Sequence, residues 1–123
     1  MGNLAAVAGG GALGALMRYG VGVVLAGRGG FPWATLSVNV IGSLLFGFLA
    51  IWLTERMPLA VELRAFVLIG VLGAFTTFSA FSWETLMLLQ QGETTRAAMN
   101  MFASVMLCIL AAAAGIWLAR QIL

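Results

Sequence analysis

At residues 73–84 the chain reads Gly-Ala-Phe-Thr-Thr-Phe-Ser-Ala-Phe-Ser-Trp-Glu, in the middle of an apolar run from Val61 to Gln90. A helix that crosses a bilayer needs about 20 apolar residues, so this run is long for one uninterrupted helix. Its centre combines a glycine with hydroxyl and aromatic side chains. Irregular backbone persists at bilayer depth only where protein or a water-filled cavity covers it. The run therefore predicts two half-helices that meet at a break, the kind of place where membrane transport proteins hold ions.

The composition is that of an integral membrane protein. Only 8% of the 123 residues are charged, and the mean hydropathy is +1.09. A soluble domain carries about 25% charged residues, and so small a chain could not bury this much apolar surface in water. The chain has no histidine and one cysteine, Cys108, which excludes an internal disulfide and the usual ligand sets for zinc. The positive charge comes from scattered arginines, so no nucleic-acid partner is predicted.

Four apolar segments predict four membrane-spanning helices in a single domain, residues 1–123. The predicted spans run from about Leu4 to Ala26, Trp33 to Leu53, Val61 to Gln90 and Ala97 to Leu118. Four spans place both chain ends on one side of the membrane. Three arginines fall on that side and two or three on the other, although orientation normally follows an excess of Lys and Arg on the cytoplasmic side. Two interpretations stay open. A few arginines are enough to orient the chain one way, or the chain inserts in both orientations and pairs with an inverted copy.

Small residues recur where helices must approach closely. Gly10 and Gly14, like Gly70 and Ala74, have the four-residue spacing that lets membrane helices touch backbone to backbone. A chain with 16 glycines also produces such pairs by chance, so neither pair is decisive alone. Together they predict tight helix contacts.

Two tracks of small polar side chains share a helix face at four-residue spacing. They are Thr35, Asn39 and Ser43 in the second span, and Asn100, Ser104 and Cys108 in the fourth. Such groups often serve only as hydrogen bonds between helices, but the amide of Asn39 has donors and an acceptor that all need partners. Asn39 is therefore predicted to line a pore or site. Uncharged donors, with helix N-termini at a break, favour a small anion over a cation.

Aromatic and ionisable residues sharpen this interpretation. Phe78 and Phe81 follow the predicted break, and the positive edges of their rings can meet an anion, although phenylalanines in membrane helices often only pack. Arg18 and Glu84 each cost several kcal/mol in lipid unless they are paired or hydrated. They are predicted to lie at opposite ends of a hydrated path or to pair with each other.

Three ordered motifs resemble the Fluc (CrcB-type) fluoride channels, and the resemblance covers essentially the whole chain. The motifs are Gly-x-x-Thr-Thr-Phe-Ser-x-Phe-Ser at residues 73–82, Trp-Ala-Thr-Leu-Ser-Val-Asn at 33–39 and Gly-Gly-Ala-Leu-Gly-Ala-x-x-Arg-Tyr at 10–19. The resemblance implies an all-α integral membrane protein, assembled as an antiparallel dual-topology homodimer in the lipid of the bacterial inner (plasma) membrane. It also implies two antiparallel pores that export cytoplasmic fluoride passively and relieve fluoride toxicity.

The resemblance further implies roles for individual residues. Phe78 and Phe81 match the phenylalanines whose ring edges face the fluoride path, and Asn39 matches the pore asparagine. The other candidates for the fluoride pathway are Ser79, Thr77, Ser104, Thr35, Ser43 and Cys108.

The resemblance implies an ion and two charged side chains as well. The backbone carbonyls of Gly73 and Thr76 match those that hold a central structural sodium ion, Na+, shared by the two subunits. Arg18 matches an arginine near the vestibule, and Glu84 matches the acid after the phenylalanine pair. The fourth span matches least well, so the roles of Asn100 and Cys108 stay open.

Other functions fit the residues less well. A small dual-topology multidrug/proton antiporter needs a carboxylate deep in its cavity, usually in the first span, where this chain has Arg18 and no acid. Glu84 would have to be recruited for that role. A non-transporting assembly subunit would use the polar residues only as contacts between helices. An enzyme is not predicted, because the chain offers no nucleophile–base pair and no metal cluster.

Overall fold

The computed structural model describes all residues, 1–123, and every regular element is helical. The elements are α1 (Gly2–Val24), α2 (Trp33–Arg56), α3 (Val61–Arg64), a π-helix (Ala65–Leu72), α4 (Gly73–Phe75), α5 (Phe78–Gln90) and α6 (Thr94–Ile122). Four helical stretches are long and apolar enough to cross a membrane, and the third of them, Val61–Gln90, contains α3 to α5. The predicted four-span, all-α architecture is confirmed.

The predicted helix ends differ from the observed ones by up to about one turn. Helix α2 continues to Arg56 rather than ending at Leu53, because glutamate and arginine are good helix formers that extend the helix beyond its apolar part. It ends where Met57, next to Pro58, leaves the helical region with φ −134°. Helix α6 begins at Thr94, three residues before the predicted start at Ala97.

The predicted break in the third span is present at Thr76 and Thr77. Both residues have extended backbone, with φ −87° and ψ 157° at Thr76 and φ −152° and ψ 116° at Thr77. The Thr77 hydroxyl accepts a hydrogen bond from the Ala80 N–H (3.1 Å) and so caps the N-terminus of α5. The Thr76 hydroxyl donates to the Leu72 carbonyl (2.9 Å) at the C-terminal end of the upstream half. Each half-helix is thus terminated by one of the two threonines.

The upstream half of the third span packs on α1 through glycines. A Cβ atom on Gly10 would collide with the Phe66 carbonyl, and one on Gly14 would collide with the Val71 carbonyl. Gly70 lies directly against the Cα of Gly10. The close contacts predicted for these glycines are therefore confirmed, and the partners of Gly10 and Gly14 all belong to the π-helix.

A second close contact joins α2 to α6. A Cβ atom on Gly47 would collide with the Ala112 carbonyl, and one on Gly115 would collide with the Leu44 carbonyl. The four-residue glycine motifs do not include this pair. The chain thus forms two closely packed helix pairs, α1 with the upstream half of the third span and α2 with α6, and the break lies beside both.

Candidate functional site

Asn39 on α2 holds the break through both the NH2 and the carbonyl group of its side-chain amide. Its Nδ2 donates to the Thr77 carbonyl (3.0 Å), and the Thr77 N–H donates to its Oδ1 (2.8 Å). In an unbroken helix that N–H would bond to the carbonyl of Gly73, four residues earlier. The side chain therefore replaces part of the helix ladder, which keeps an extended segment satisfied at membrane depth.

A cavity of about 410 Å³ opens beside the break and is called here the Asn39 cavity. Its lining includes seven of the nine residues predicted for the fluoride pathway: Asn39, Ser43, Thr77, Phe78, Phe81, Ser104 and Cys108. Thr35 and Ser79 do not line it. Ser79 is exposed, with its hydroxyl 3.2 Å from that of Thr77. The second and fourth spans thus bring most of their polar tracks to one place.

The two phenylalanines form a tilted pair at the edge of the Asn39 cavity. Their ring centroids are 5.4 Å apart and the ring planes make an angle of 48°. Phe81 is buried, whereas Phe78 is 77% exposed on the surface of the chain. The ring of Phe78 therefore lacks a covering group within a single copy.

A second cavity of about 510 Å³, called here the Arg18 cavity, lies on the other side of Thr77 and is lined by Arg18, Thr35 and Glu84 among others. The Thr35 hydroxyl donates to Glu84 Oε1 (2.8 Å), and Arg18 Nε donates to the Ala74 carbonyl (2.9 Å). Arg18 and Glu84 share this lining without forming an ion pair; the ion pair that the chain forms joins Glu93 to Arg96 (3.8 Å). The direct pairing of Arg18 with Glu84, one of the two arrangements left open by the sequence, is therefore not observed.

The carbonyls of Gly73 and Thr76 have both lost their usual helical donors. The N–H of Thr77 goes to Asn39, and the N–H of Ala80 goes to the Thr77 hydroxyl. Gly73 is also exposed. Unbonded backbone carbonyls are the ligands that channels use for alkali cations, so these two fit the predicted sodium ion.

Sequence patterns missed two residues that shape the site. Gly42 has no side chain because a Cβ atom there would collide with the methyl group of Thr76 at the break. Thr85 on α5 is buried and accepts a hydrogen bond from Asn100 Nδ2 (2.9 Å). A signal for Gly42 was available in its position one turn after Asn39, but the contact that matters comes from another helix.

Comparison with known proteins identifies relatives of this chain over almost its whole length. Residues 5–116 match the profile of the family described as CrcB-like protein, Camphor Resistance (CrcB). A relative from Acidithiobacillus ferrooxidans is 50% identical over 112 residues, which cover 89% of each chain. One from Magnetococcus marinus is 50% identical over 122 residues, 98% of this chain and 99% of the relative.

A third relative, from Methylococcus capsulatus, is 50% identical over 122 residues, but this chain spans only 54% of its length. All three relatives carry the name Fluoride-specific ion channel FluC. The resemblance inferred from the three motifs is confirmed, and the chain belongs to the CrcB family.

Proposed function

We propose that this chain is a fluoride-specific channel through which cytoplasmic fluoride leaves a bacterial cell passively. The observation that carries the proposal is the Asn39 cavity: a broken helix anchored by an asparagine, with phenylalanine rings and hydroxyl groups on the same wall. The relatives are named as fluoride channels, which agrees with a transport protein rather than an enzyme.

The groups in the Asn39 cavity suit a small, strongly hydrated anion. Fluoride gives up water only where other donors replace it. Asn39 Nδ2 has two N–H bonds, and one of them is used on the Thr77 carbonyl, which leaves the other available. The hydroxyl of Ser43 and the ring edges of Phe78 and Phe81 add further positive partners. A larger anion such as chloride would be rejected by narrowness and donor spacing rather than by charge.

The break also sets the electrostatic character of the path. The N-terminus of α5 begins beside the Asn39 cavity, and the positive end of a helix dipole favours an anion. The upstream half ends in carbonyls, one of which accepts the guanidinium N–H of Arg18. The carbonyl end of the upstream half and the N–H end of α5 therefore meet at Thr76 and Thr77.

A single copy provides only part of such a path, and we propose that an inverted second copy completes it. Phe78 is 77% exposed, and the carbonyl-bearing Gly73 is exposed beside the break. Gly11 on α1 has open space where a Cβ would point, as expected for a face that packs on another helix. With a near-equal number of arginines at the two ends, neither orientation is strongly preferred. The dimer would lie in the inner membrane with one pore on each side.

A sodium ion at the dimer centre would be held by the Gly73 and Thr76 carbonyls of both copies. The support is that both carbonyls lack their helical donors and that no side-chain cluster competes as a metal site. The cation would offset repulsion among the clustered carbonyls and make the neighbouring space more favourable for anions.

This chain lacks the feature that a multidrug/proton antiporter needs most. The cavity of such an antiporter requires a carboxylate that exchanges protons for cations, whereas α1 carries Arg18 and no acid. Glu84 accepts a hydrogen bond from Thr35 in a cavity that it shares with that arginine. A positive group beside the acid disfavours a cationic substrate.

Flux measurements on purified protein in liposomes test the proposal. Vesicles loaded with fluoride should discharge it quickly when the membrane potential is clamped, and vesicles loaded with chloride should retain their content. Proton-coupled uptake of an organic cation would identify an antiporter instead. Protein-containing vesicles that release neither anion faster than empty ones would contradict a channel and favour an assembly subunit.

A further inference from the structure

A buried chain of hydrogen bonds runs behind the Asn39 cavity, from its wall into α5. The Ser104 hydroxyl donates to Asn100 Oδ1 (3.3 Å), Asn100 Nδ2 donates to Thr85 Oγ1 (2.9 Å), and the Thr85 hydroxyl donates to the Phe81 carbonyl (2.7 Å). Asn100 is only 1% exposed and does not line the cavity, whereas Ser104 does. The residue that reaches the cavity is thus connected to Phe81 through a fully buried amide.

The direction of these bonds decides what Ser104 offers to an ion. A hydroxyl has one proton, and here that proton points at Asn100 rather than into the cavity. Ser104 then presents only lone pairs to the path, and lone pairs repel an anion. In this arrangement one of the hydroxyl groups on the cavity wall cannot bind fluoride.

Rotation of the Asn100 amide by half a turn reverses the chain. An amide is nearly symmetric in shape, so its NH2 and carbonyl ends can exchange places while the neighbouring atoms stay where they are. Nδ2 then donates to Ser104, and the Thr85 hydroxyl turns from the Phe81 carbonyl to Oδ1. The Phe81 carbonyl keeps its helical partner within α5. Every residue of the chain of hydrogen bonds stays bonded, and the Ser104 hydroxyl can now point its proton into the cavity.

We propose that Asn100 is a positioning residue whose amide reverses this chain of hydrogen bonds when fluoride reaches Ser104. The inference rests on the proposed function, since it assigns the second arrangement to the fluoride-bound state. Ser104 then donates to the ion while it accepts from Asn100 Nδ2, and hydrogen bonds linked in this way strengthen one another. With no ion present, the Ser104 hydroxyl donates to Asn100 Oδ1 again, and no group is left unpaired.

The first test replaces Asn100 by leucine, which has a similar volume and neither donates nor accepts. Without the amide donor behind it, Ser104 binds fluoride less well, and the apparent affinity measured from the concentration dependence of flux should fall about two- to tenfold. If the amide instead held the serine proton away from the ion permanently, Asn100→Leu would raise the affinity. A raised or unchanged affinity overturns the proposal.

A double-mutant comparison separates this role from simple support of the fold. Because Asn100 acts through Ser104, Asn100→Leu should cost nothing further in a Ser104→Ala background. Equal losses in both backgrounds would mean that Asn100 merely stabilises the helix contact, and the proposal would be wrong. If the wild-type protein transports no fluoride, the proposed function is refuted as well. If the wild-type protein transports fluoride and the leucine variant behaves like it, only the role of Asn100 is refuted.

A spectroscopic measurement on the wild-type sequence does not depend on how the variants fold. The side-chain amide resonances of Asn100 should shift when fluoride is added to isotope-labelled protein, because Nδ2 exchanges a threonine partner for a serine. Chloride should cause no shift, and Ser104→Ala should abolish the response. Asn3, near the start of α1, is the matched amide outside the network and should not respond. Resonances of Asn100 that ignore fluoride overturn the proposal.

Discussion

At the scale of single residues, the need to satisfy buried polar groups was the most reliable guide. An unpaired amide at membrane depth is costly, so Asn39 could be predicted to lie at a site, and it does bridge the break. The partners could not be predicted, because they belong to the backbone of a distant helix. The shared face of Thr35 and Asn39 was also misleading: the two residues line different cavities, separated by Thr77.

Replacement of Asn39 by alanine should lower both stability and fluoride flux. The change leaves the N–H and the carbonyl of Thr77 without partners, at a cost of about 1–3 kcal/mol for each group that stays dry. Denaturant titration of the purified protein and fluoride efflux from liposomes measure the two effects. Asn3→Ala serves as the control, and wild-type behaviour of Asn39→Ala would show that the bridge is dispensable.

The phenylalanine pair allows flux to be separated from packing. Phe78→Ile and Phe81→Ile should each reduce fluoride efflux, because isoleucine has no positive ring edge. Since Phe78 is 77% exposed and Phe81 is buried, only the second change should also lower stability, by about 1 kcal/mol. Fluoride efflux from liposomes and denaturant titration of the purified protein distinguish the two effects. Trp83→Ile, outside the Asn39 cavity, is the control, and full flux in both phenylalanine variants would remove the rings from the mechanism.

At the scale of helices, the sequence predicts where a helix is interrupted better than it predicts whether a segment is an α-helix or a π-helix. Two consecutive threonines after Phe75 predict a break, because hydroxyl side chains can satisfy the freed backbone groups, and the observed caps at Thr76 and Thr77 follow that logic. The π-helix Ala65–Leu72 was not predictable from periodicity, since a uniformly apolar segment shows no favoured face. Glycine spacing identified the contacts of α1, but not the one formed by Gly47 and Gly115.

Two glycines on the same helix test whether close contact or intrinsic flexibility matters. An alanine at Gly14 would collide with the Val71 carbonyl, whereas one at Gly20 meets open space. Gly20→Ala should be neutral or should stabilise α1 by up to about 1 kcal/mol through helix propensity. Gly14→Ala should destabilise the protein, because α1 must move away from the π-helix. Equal denaturation midpoints for the two variants would contradict this close packing.

At the scale of the whole molecule, exposed groups beside the break support the proposal that the chain pairs with a second copy. Ser104 is buried whereas Phe78 is 77% exposed, and the proposed second copy would cover the exposed ring. The family could be identified from three motifs, but the arginine count alone could not choose between one orientation and two, because the totals are nearly equal. Assembly depends on contacts between copies, and these leave only weak marks in a single sequence.

Removal of sodium tests the ion proposed for the centre of the assembly. If the Gly73 and Thr76 carbonyls of two copies surround a cation, exchange of sodium for a large organic cation should weaken the dimer and lower fluoride flux. Exchange should be carried out during unfolding and refolding, so that a trapped ion is released. Unchanged assembly and flux in protein refolded without sodium would contradict a structural cation.

The proposal that fluoride passes between two oppositely oriented copies is tested most directly by labelling from one side of the membrane. Cysteine is introduced by Leu59→Cys or by Gln91→Cys, in loops at opposite ends of the helices, on a Cys108→Ser background; neither new position changes the charge. An impermeant maleimide applied outside intact cells should label about half of the copies at each position. Complete labelling at one position with none at the other would mean that all copies face the same way.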